Sequence, residues 1–474
     1  MFLLEKHLDR DNNKYYPSTV PVRHEQGIKE LVLKTTILKF GEHPMPEFLD
    51  LYIQDLYSKA KQIIEAYSLI AQQHIAEYIS KEFYEYWITI KLPKTTPDKF
   101  NVLAVDSSSR HYITSNSGIF YVARALAITN NAEYRKVFTM FDYDPTEKYS
   151  EITGRIMEWL EHEAILEALN NGFEGYVLID GSIYGRIAHV PLETSLTYHR
   201  GFMIKYFETL VKLLKTAKEK KVTLIGISKE SRTSFFRKYL IRKAILKLAK
   251  EYGIEESEIK KLLDKIAEGK GEARLALRKA EELPENLREL IREYVSNKTD
   301  FQLIMNYAKT PGYTTPLLLA PPMRTKRALN LIRVDPEEYL KSSHPISSLN
   351  KDFASKALKV IEELPNLPGI VSFHILPSTI DTPMRIDVPS WTLNIERKLS
   401  EINSTEKVNV DVRNILEVIA AGYSGLKNYN IWLTMVDRKV KLSRDVFEKI
   451  YLPKFEELVG RKATSRGYRR VRFP

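Results

Sequence analysis

The chain has 474 residues, 43% of them hydrophobic, which suffices for two or three domains or one elaborated core. Its formal net charge of +11 suits a polyanionic partner, although a lysine-biased solvated surface gives the same sum. There is no cysteine, which excludes disulfides, thiolate metal sites and cysteine nucleophiles. Any metal must then sit on oxygen or imidazole ligands, as hard cations such as Mg2+ or Mn2+ do.

No run of about 18 uncharged apolar residues occurs. The opening MFLLEKHLDRDNNK lacks the apolar stretch of a signal peptide, so the expected location is the cytoplasm, with no membrane association. Abundant Lys, Glu, Ile and Tyr suit a thermophile. In residues 47–82, apolar positions recur at three- and four-residue spacing with no proline after Pro46, which predicts helix. FYEYWITIKL (83–92) reads as a strand and PKTTP (93–97) as a linker, so residues 1–97 form a mostly helical N-terminal extension.

Residues 98–230 change to mixed α/β character, with strands expected at 101–106, 117–128, 136–142, 174–180 and 222–228 and helices at 150–170 and 198–219. Residues 231–300 differ: 236–300 hold 16 Lys/Arg and 13 Asp/Glu, the mark of two or three charged amphipathic helices divided by a turn at Gly269–Gly271. This helical insertion reads either as a DNA or partner arm or as a solvated hairpin. Residues 301–474 return to the mixed pattern. TPLLLAPP (315–322), IVSFHIL (370–376) and MRIDV (384–388) read as strands; VDVRNILEVIAAGYSG (409–424) and part of 431–448 read as helices. The last fourteen residues, RKATSRGYRRVRFP, carry six basic and no acidic side chains: a phosphate-contacting tail, or an end that binds nothing. The fold class expected is α/β, a mixed sheet flanked by helices.

The chemistry concentrates in carboxylates. In NVLAVDSSSR (101–110) and GYVLIDGS (175–182), an apolar run ends in Asp106 and Asp180. Either aspartate alone is equally at home in an Asx-turn or a helix cap. Together, at the ends of neighbouring strands, they begin a metal site. The intervening helix offers Glu158, Glu161, Glu163 and Glu167, with Glu163 and Glu167 on one face and Glu163 among Trp159, Leu160 and Leu166. Two divalent ions clamped by three or four carboxylates neutralise a phosphate and deprotonate a water, which is what phosphodiester hydrolysis requires.

The order LAVDSSS, EHEA, VLIDGS, LIGISK, MRIDVP and GYSGLKNYNIWLTMVDRKVKLS resembles the NurA family of archaeal and bacterial nucleases, over roughly 98–230 and 300–445. Two departures stand out: Ser107 where glycine is common, and Asp437 where several members have histidine. The resemblance implies an RNase H-like sheet with carboxylates at its centre. It also implies a DNA nuclease dependent on Mn2+, with Mg2+ as the other ion, using a two-ion site. The activity implied is 5′→3′ exonuclease on single and double strands, with single-strand endonuclease. The partners implied are a second copy in a homodimer and a HerA-type hexameric translocase, in resection of double-strand breaks.

By position, the resemblance gives Asp106 as the ligand bridging both ions, Asp180 and Glu163 as ligands of one ion each, and Asp437 as the residue completing the second. Lys229, closing VTLIGISK, would contact the scissile phosphate or steady the attacking water. Tyr429, eight residues before Asp437, would stack on a base or bond a phosphate. Arg385 is assigned to DNA contact, with Asp387 beside it supporting the site. His374 reads as a structural histidine rather than a ligand. Two other readings stay open: a different RNase H-like nucleic-acid-cleaving enzyme, and a non-catalytic DNA-binding scaffold, which four retained carboxylates disfavour.

Overall fold

A computed structural model describes residues 47–67, 73–143 and 149–464. Most of the basic terminal segment therefore lies outside the described residues. The chain divides into two compact units, Met1–Ser68 and Leu69–Pro474. In the first, helices span Glu47–Ser58 and Ala60–Tyr67.

Among the described residues, the second unit is built on one mixed sheet of eleven strands. In chain order these are β1 (Trp87–Thr89), β2 (Val102–Ile113), β3 (Gly118–Ile128), β4 (Glu133–Tyr143), β5 (Tyr176–Asp180), β6 (Thr223–Lys229), β7 (Gly312–Thr314), β8 (Leu317–Leu318), β9 (Ile370–Leu376), β10 (Met384–Pro389) and β11 (Glu406–Lys407). The main path runs β1-β7-β9-β10-β6-β5-β2-β3-β4, with β8 on β9 and β11 on β8. β2, β3 and β4 form an antiparallel meander, and β5 and β6 add to β2 in parallel. That is the RNase H-like core; β10, β9, β7 and β1 widen it beyond β6 by antiparallel pairing.

Both faces of the central strands are covered, which is why their sequences read as continuous apolar runs. Alternation decides which residue meets which layer. Leu103, Val105, Val177, Ile179 and Leu224 pack with the helices Tyr149–Asn170 and Phe202–Glu219. Val102, Ala104, Leu178, Ile225 and Ile227 pack on the other face with the helices Arg413–Gly422 and Ile431–Val440.

Several expectations are corrected. β2 does not stop at Asp106 but continues to Ile113, because β3 keeps pairing with it from Ala104↔Ile128 to Ile113↔Ile119. The run FYEY belongs to the helix Gln73–Tyr86, not to a strand. Ile75, Ile79 and Phe83 recur every four residues on one buried stripe, and only Trp87–Thr89 is extended. Of the expected 315–322 strand only β8, Leu317–Leu318, is extended, and β7 at Gly312–Thr314 precedes that range. The 231–300 segment holds four helices, Phe235–Glu251, Glu256–Glu268, Lys270–Ala280 and Glu285–Val295; the turn falls at Gly269 (φ +79°), while Gly271 is helical.

That insertion packs against the core and is not a solvated hairpin. Ile259, Leu263, Leu287, Leu290 and Ile291 bury themselves in the same apolar cluster as Phe83 and Trp87. Arg237, 1% exposed, ties its first helix to its last by donating to Glu293 Oε1 at 2.8 Å and Ser296 Oγ at 2.7 Å. Asp300 then accepts from the Arg237 main-chain N–H at 2.7 Å, and its burial pushes its carboxyl up to about 6.

Removing one member of a buried charged pair leaves the other uncompensated. Arg237→Ala is therefore expected to cost about 3 kcal/mol or more in urea denaturation. A loss below about 1 kcal/mol would show the clamp to be dispensable.

Candidate active site

The parallel pairing of β2 with β5 ends at Val105↔Ile179, and the next residues along the two strands are Asp106 and Asp180. Both continue the register of Ala104 and Leu178, so both carboxylates sit on the sheet face covered by the Ile431–Val440 helix. β5 stops at Asp180 because Gly181 turns the chain at φ +112°. This turn crosses β6 at Gly226, where an added Cβ would stand 2.7 Å from the Gly181 carbonyl oxygen and 2.9 Å from Ile183. Ser182 completes the turn: its hydroxyl accepts from Gly185 N–H at 2.8 Å and donates to Asp387 Oδ2 at 2.7 Å.

Three further residues meet these aspartates. Lys229, the last residue of β6, places its ammonium 3.1 Å from Asp180 Oδ2 and 4.1 Å from the Tyr429 ring centroid. The Tyr429 hydroxyl donates to the same Asp180 oxygen at 3.1 Å. Burial, and then Asp180, push this phenol well above its ordinary range. Asp437 lies exposed on the Ile431–Val440 helix, close enough for its charge to act on both Asp106 and Tyr429. Asn430 starts that helix by accepting from Leu433 N–H at 3.0 Å. Its far end is held by β2 and β3. Arg124 donates to the carbonyls of Val440 and Lys441 at 2.7 Å each, Arg110 donates to Leu442 O at 3.0 Å, and Ser108 Oγ accepts from Leu442 N–H at 2.9 Å.

Asp106 is the electrostatic centre. Burial raises its carboxyl to about 7, with Glu161, Asp180 and Asp437 adding to the effect and the Ser107 N–H, at 2.7 Å, opposing it.

The helix glutamate that meets this centre is Glu161. Ser107, one residue along β2, projects to the opposite face and donates its hydroxyl to Glu161 Oε1; Arg186 donates to Oε2. Glu161 and Arg186 are each 4% exposed. Burial raises the Glu161 carboxyl despite this partner. Arg186 also reaches the Asp180 carbonyl at 3.4 Å and His162 Nε2 at 3.2 Å. Burial beside Arg186 keeps His162 neutral. Behind it, Glu158 accepts from Tyr206 OH at 2.7 Å and lies 3.1 Å from His189 Nε2.

Of the expected residues, Asp106, Asp180, Asp437, Lys229 and Tyr429 come together; Glu163 and Arg385 do not. Glu163, two residues and about 200° around the helix from Glu161, accepts from Thr209 Oγ1 at 2.9 Å on the side away from Asp106. Glu161 was legible as a carboxylate continuing the four-residue row of Leu169 and Ile165, both fully buried. Arg385 is 2% exposed and cannot touch DNA. Its guanidinium grips Asp387 at 2.9 and 3.0 Å, bonds Ser372 Oγ at 3.0 Å and stacks near Phe235 and Tyr184. Arg385 and Asp387 instead brace the turn after Asp180, since Asp387 also accepts from Tyr184 N–H at 3.2 Å. His374 is buried 3.8 Å from Asp300, and burial holds it neutral, near 3.

The donor set around Asp106 is all oxygen, which suits hard divalent cations, and its like charges repel each other as a cation would relieve. As placed, no group of three or more His, Asp or Glu side chains among the described residues closes into a ligating cluster, Asp180 being held by Lys229 and Tyr429.

A family model for the NurA domain matches residues 100–442, a span that opens just before β2 and closes just after the helix bearing Asp437. The chain belongs to the NurA family. It is thus a nuclease of that family. A search of curated proteins gave no match. Solved structures similar to this NurA chain include the NurA nuclease from Sulfolobus solfataricus, at 13% identity and TM-score 0.49, covering 88% of this chain and 98% of that one. A crystal structure of NurA bound to dAMP and manganese is 14% identical with TM-score 0.38, covering 87% and 96%. One of NurA with manganese is 14% identical with TM-score 0.38, covering 86% and 98%. No helix among the described residues is long and apolar enough to cross a membrane.

The raised Asp106 carboxyl has a measurable consequence. Below about pH 4 it is neutral in both folded and unfolded chains. Between 3.8 and about 7 the unfolded chain ionises while the folded one keeps its proton, so stability falls with rising pH and is lost through about 7. In metal-free buffer, Asp106→Asn should be more stable than wild type at pH 8 by roughly 2–4 kcal/mol. The gap should close near pH 4; a pH-independent difference in denaturation midpoint would contradict the assigned cause.

Proposed function

We propose that this NurA family nuclease hydrolyses DNA phosphodiesters with Mn2+ or Mg2+ in a two-ion site formed by Asp106, Asp180 and Asp437, with Glu161 rather than Glu163 as the helix carboxylate. The observation that carries this is the convergence of three aspartates from two adjacent strands and a helix, with a lysine and a tyrosine beside them. Bound ions would supply charge neutralisation at the phosphate and a water of lowered pKa. Asp106, between Asp180 and Asp437, is the residue able to serve both ions.

The chain's own groups do the rest. Lys229, about half exposed at the strand end, can leave Asp180 for the scissile phosphate, where its ammonium offsets the charge that develops. Tyr429 orients Asp180 and offers a ring face to a base. The net charge of +11 draws a polyanion to the surface while the acidic site stays local.

Family membership supports the finer reading: 5′→3′ exonuclease action on single and double strands, single-strand endonuclease action, a homodimer, and work with a HerA-type hexameric translocase in double-strand break resection in the cytoplasm. Co-elution of this chain with such an ATPase in gel filtration tests the partnership; separate peaks at micromolar concentration would remove it.

For the chemistry, Asp106→Asn and Asp180→Asn should lower Mn2+-dependent cleavage of labelled single-stranded DNA by at least ~100-fold, Asp437→Ala by ~10- to 100-fold, and Glu163→Gln by less than ~3-fold. Wild-type cleavage by Asp106→Asn would end the metal reading. Full loss with Glu163→Gln would restore that residue to the site.

A further inference from the structure

We propose that Arg186 is the positioning residue of this site: its buried guanidinium fixes Glu161 and the turn after Asp180 in the arrangement that lets the aspartates take up a cation. The proposal rests on the metal-dependent reading above.

Arg186 follows the Asp180-Gly181-Ser182 turn by one helical turn and points back beneath it. One nitrogen serves both Glu161 Oε2 and the Asp180 carbonyl, and another lies 3.2 Å from His162 Nε2. The guanidinium also closes on Gly181, where a Cβ would stand 3.9 Å from it. Glu161 completes the chain by accepting the Ser107 hydroxyl. Asp180, Arg186, Glu161 and Ser107 thus form one continuous set of contacts, running under the sheet from one aspartate strand to the residue beside the other aspartate.

Burying a guanidinium this fully is unfavourable unless its partners compensate. Here the partners are a carboxylate, a main-chain carbonyl of the site and a neutral imidazole, with Glu158 adding its charge from behind. Without Arg186, Glu161 is a bare buried carboxylate whose charge already opposes that of Asp106. It would then lose the donor that fixes Oε2 and swing from its place, and Asp180 would lose a fixed point of its turn. Either change alters the cation site without Arg186 ever touching a metal or a phosphate. Lysine keeps the charge but not the planar fork, so it should preserve the function only in part.

The test is Mn2+ affinity of the intact chain, read from the electron paramagnetic resonance signal of free Mn2+, with circular dichroism confirming the fold. Arg186→Met should weaken binding at least ~10-fold, Arg186→Lys by less than ~3-fold. The double variant Glu161→Gln with Arg186→Met should lose clearly less than the two single losses combined, because part of what Arg186 does passes through Glu161. Wild-type affinity in Arg186→Met, or losses that simply add in the double variant, would overturn the proposal. Should Arg186→Met fail to fold, Arg186→Lys and Glu161→Gln decide: near-wild-type binding by the first with at least ~10-fold weaker binding by the second supports it, and wild-type binding by Glu161→Gln refutes it. Absence of Mn2+ binding by the wild-type chain would instead overturn the metal-dependent reading.

Discussion

The parallel ladder between β2 and β5 runs from Val102↔Tyr176 to Val105↔Ile179 and then parts, β5 turning away at Gly181 while β2 continues against β3. Everything that makes a site of this fold depends on that register. Because side chains alternate along a strand, the residues just beyond the last pair, Asp106 and Asp180, emerge side by side on one face. A slip of one residue in either strand would send one aspartate to the opposite layer. The apolar residues that hold the register, Leu103 and Val105 against one pair of helices and Val102 and Ala104 against the other, are therefore as much part of the site's construction as the carboxylates.

From that seam the segment Asp106–Arg110 distributes contacts to both layers. Asp106 faces the helix of Asp437, Ser107 passes to the other face and meets Glu161, and Ser108 and Arg110 clasp Leu442 just past the Ile431–Val440 helix. The Ser107 hydroxyl makes a bond that a glycine there could not. Two layers that never touch through the sheet are thereby referred to the same five residues. The charge arithmetic follows the same plan: carboxylates crowd Asp106, and Lys229 and Arg186 stand on either side to moderate them.

Much of this was legible in the chain. The apolar runs ending at Asp106 and Asp180, the helix over 150–170 and the strand over 370–376 follow from periodicity alone, and the aspartates, Lys229 and Tyr429 follow from the order of short motifs. Three things were not. β2 runs past Asp106 because of its partner β3, a non-local fact that no local pattern carries. Glu161 and Glu163 share a composition and a neighbourhood, and only the phase of the helix against the sheet separates them. Arg385 reads as a strand cation suited to phosphate, yet both its neighbours across the sheet and the insertion's Phe235 enclose it. The insertion itself is charged on its outer faces, which conceals the apolar seam that anchors it.

The crossing of the Asp180 turn over Gly226 leaves no space for even a methyl group. Position 226 is thus intolerant for a reason unrelated to reaction chemistry, while sitting one strand away from Asp180, which the proposed chemistry would make intolerant on its own account. A comprehensive substitution map of this protein scored only by surviving activity would colour Gly226 and Asp180 alike. Separating them requires a second map scored by abundance of folded chain. In that map the glycine should remain dark and the aspartate should fade, which turns a tight backbone crossing into an internal standard for telling scaffold from reagent.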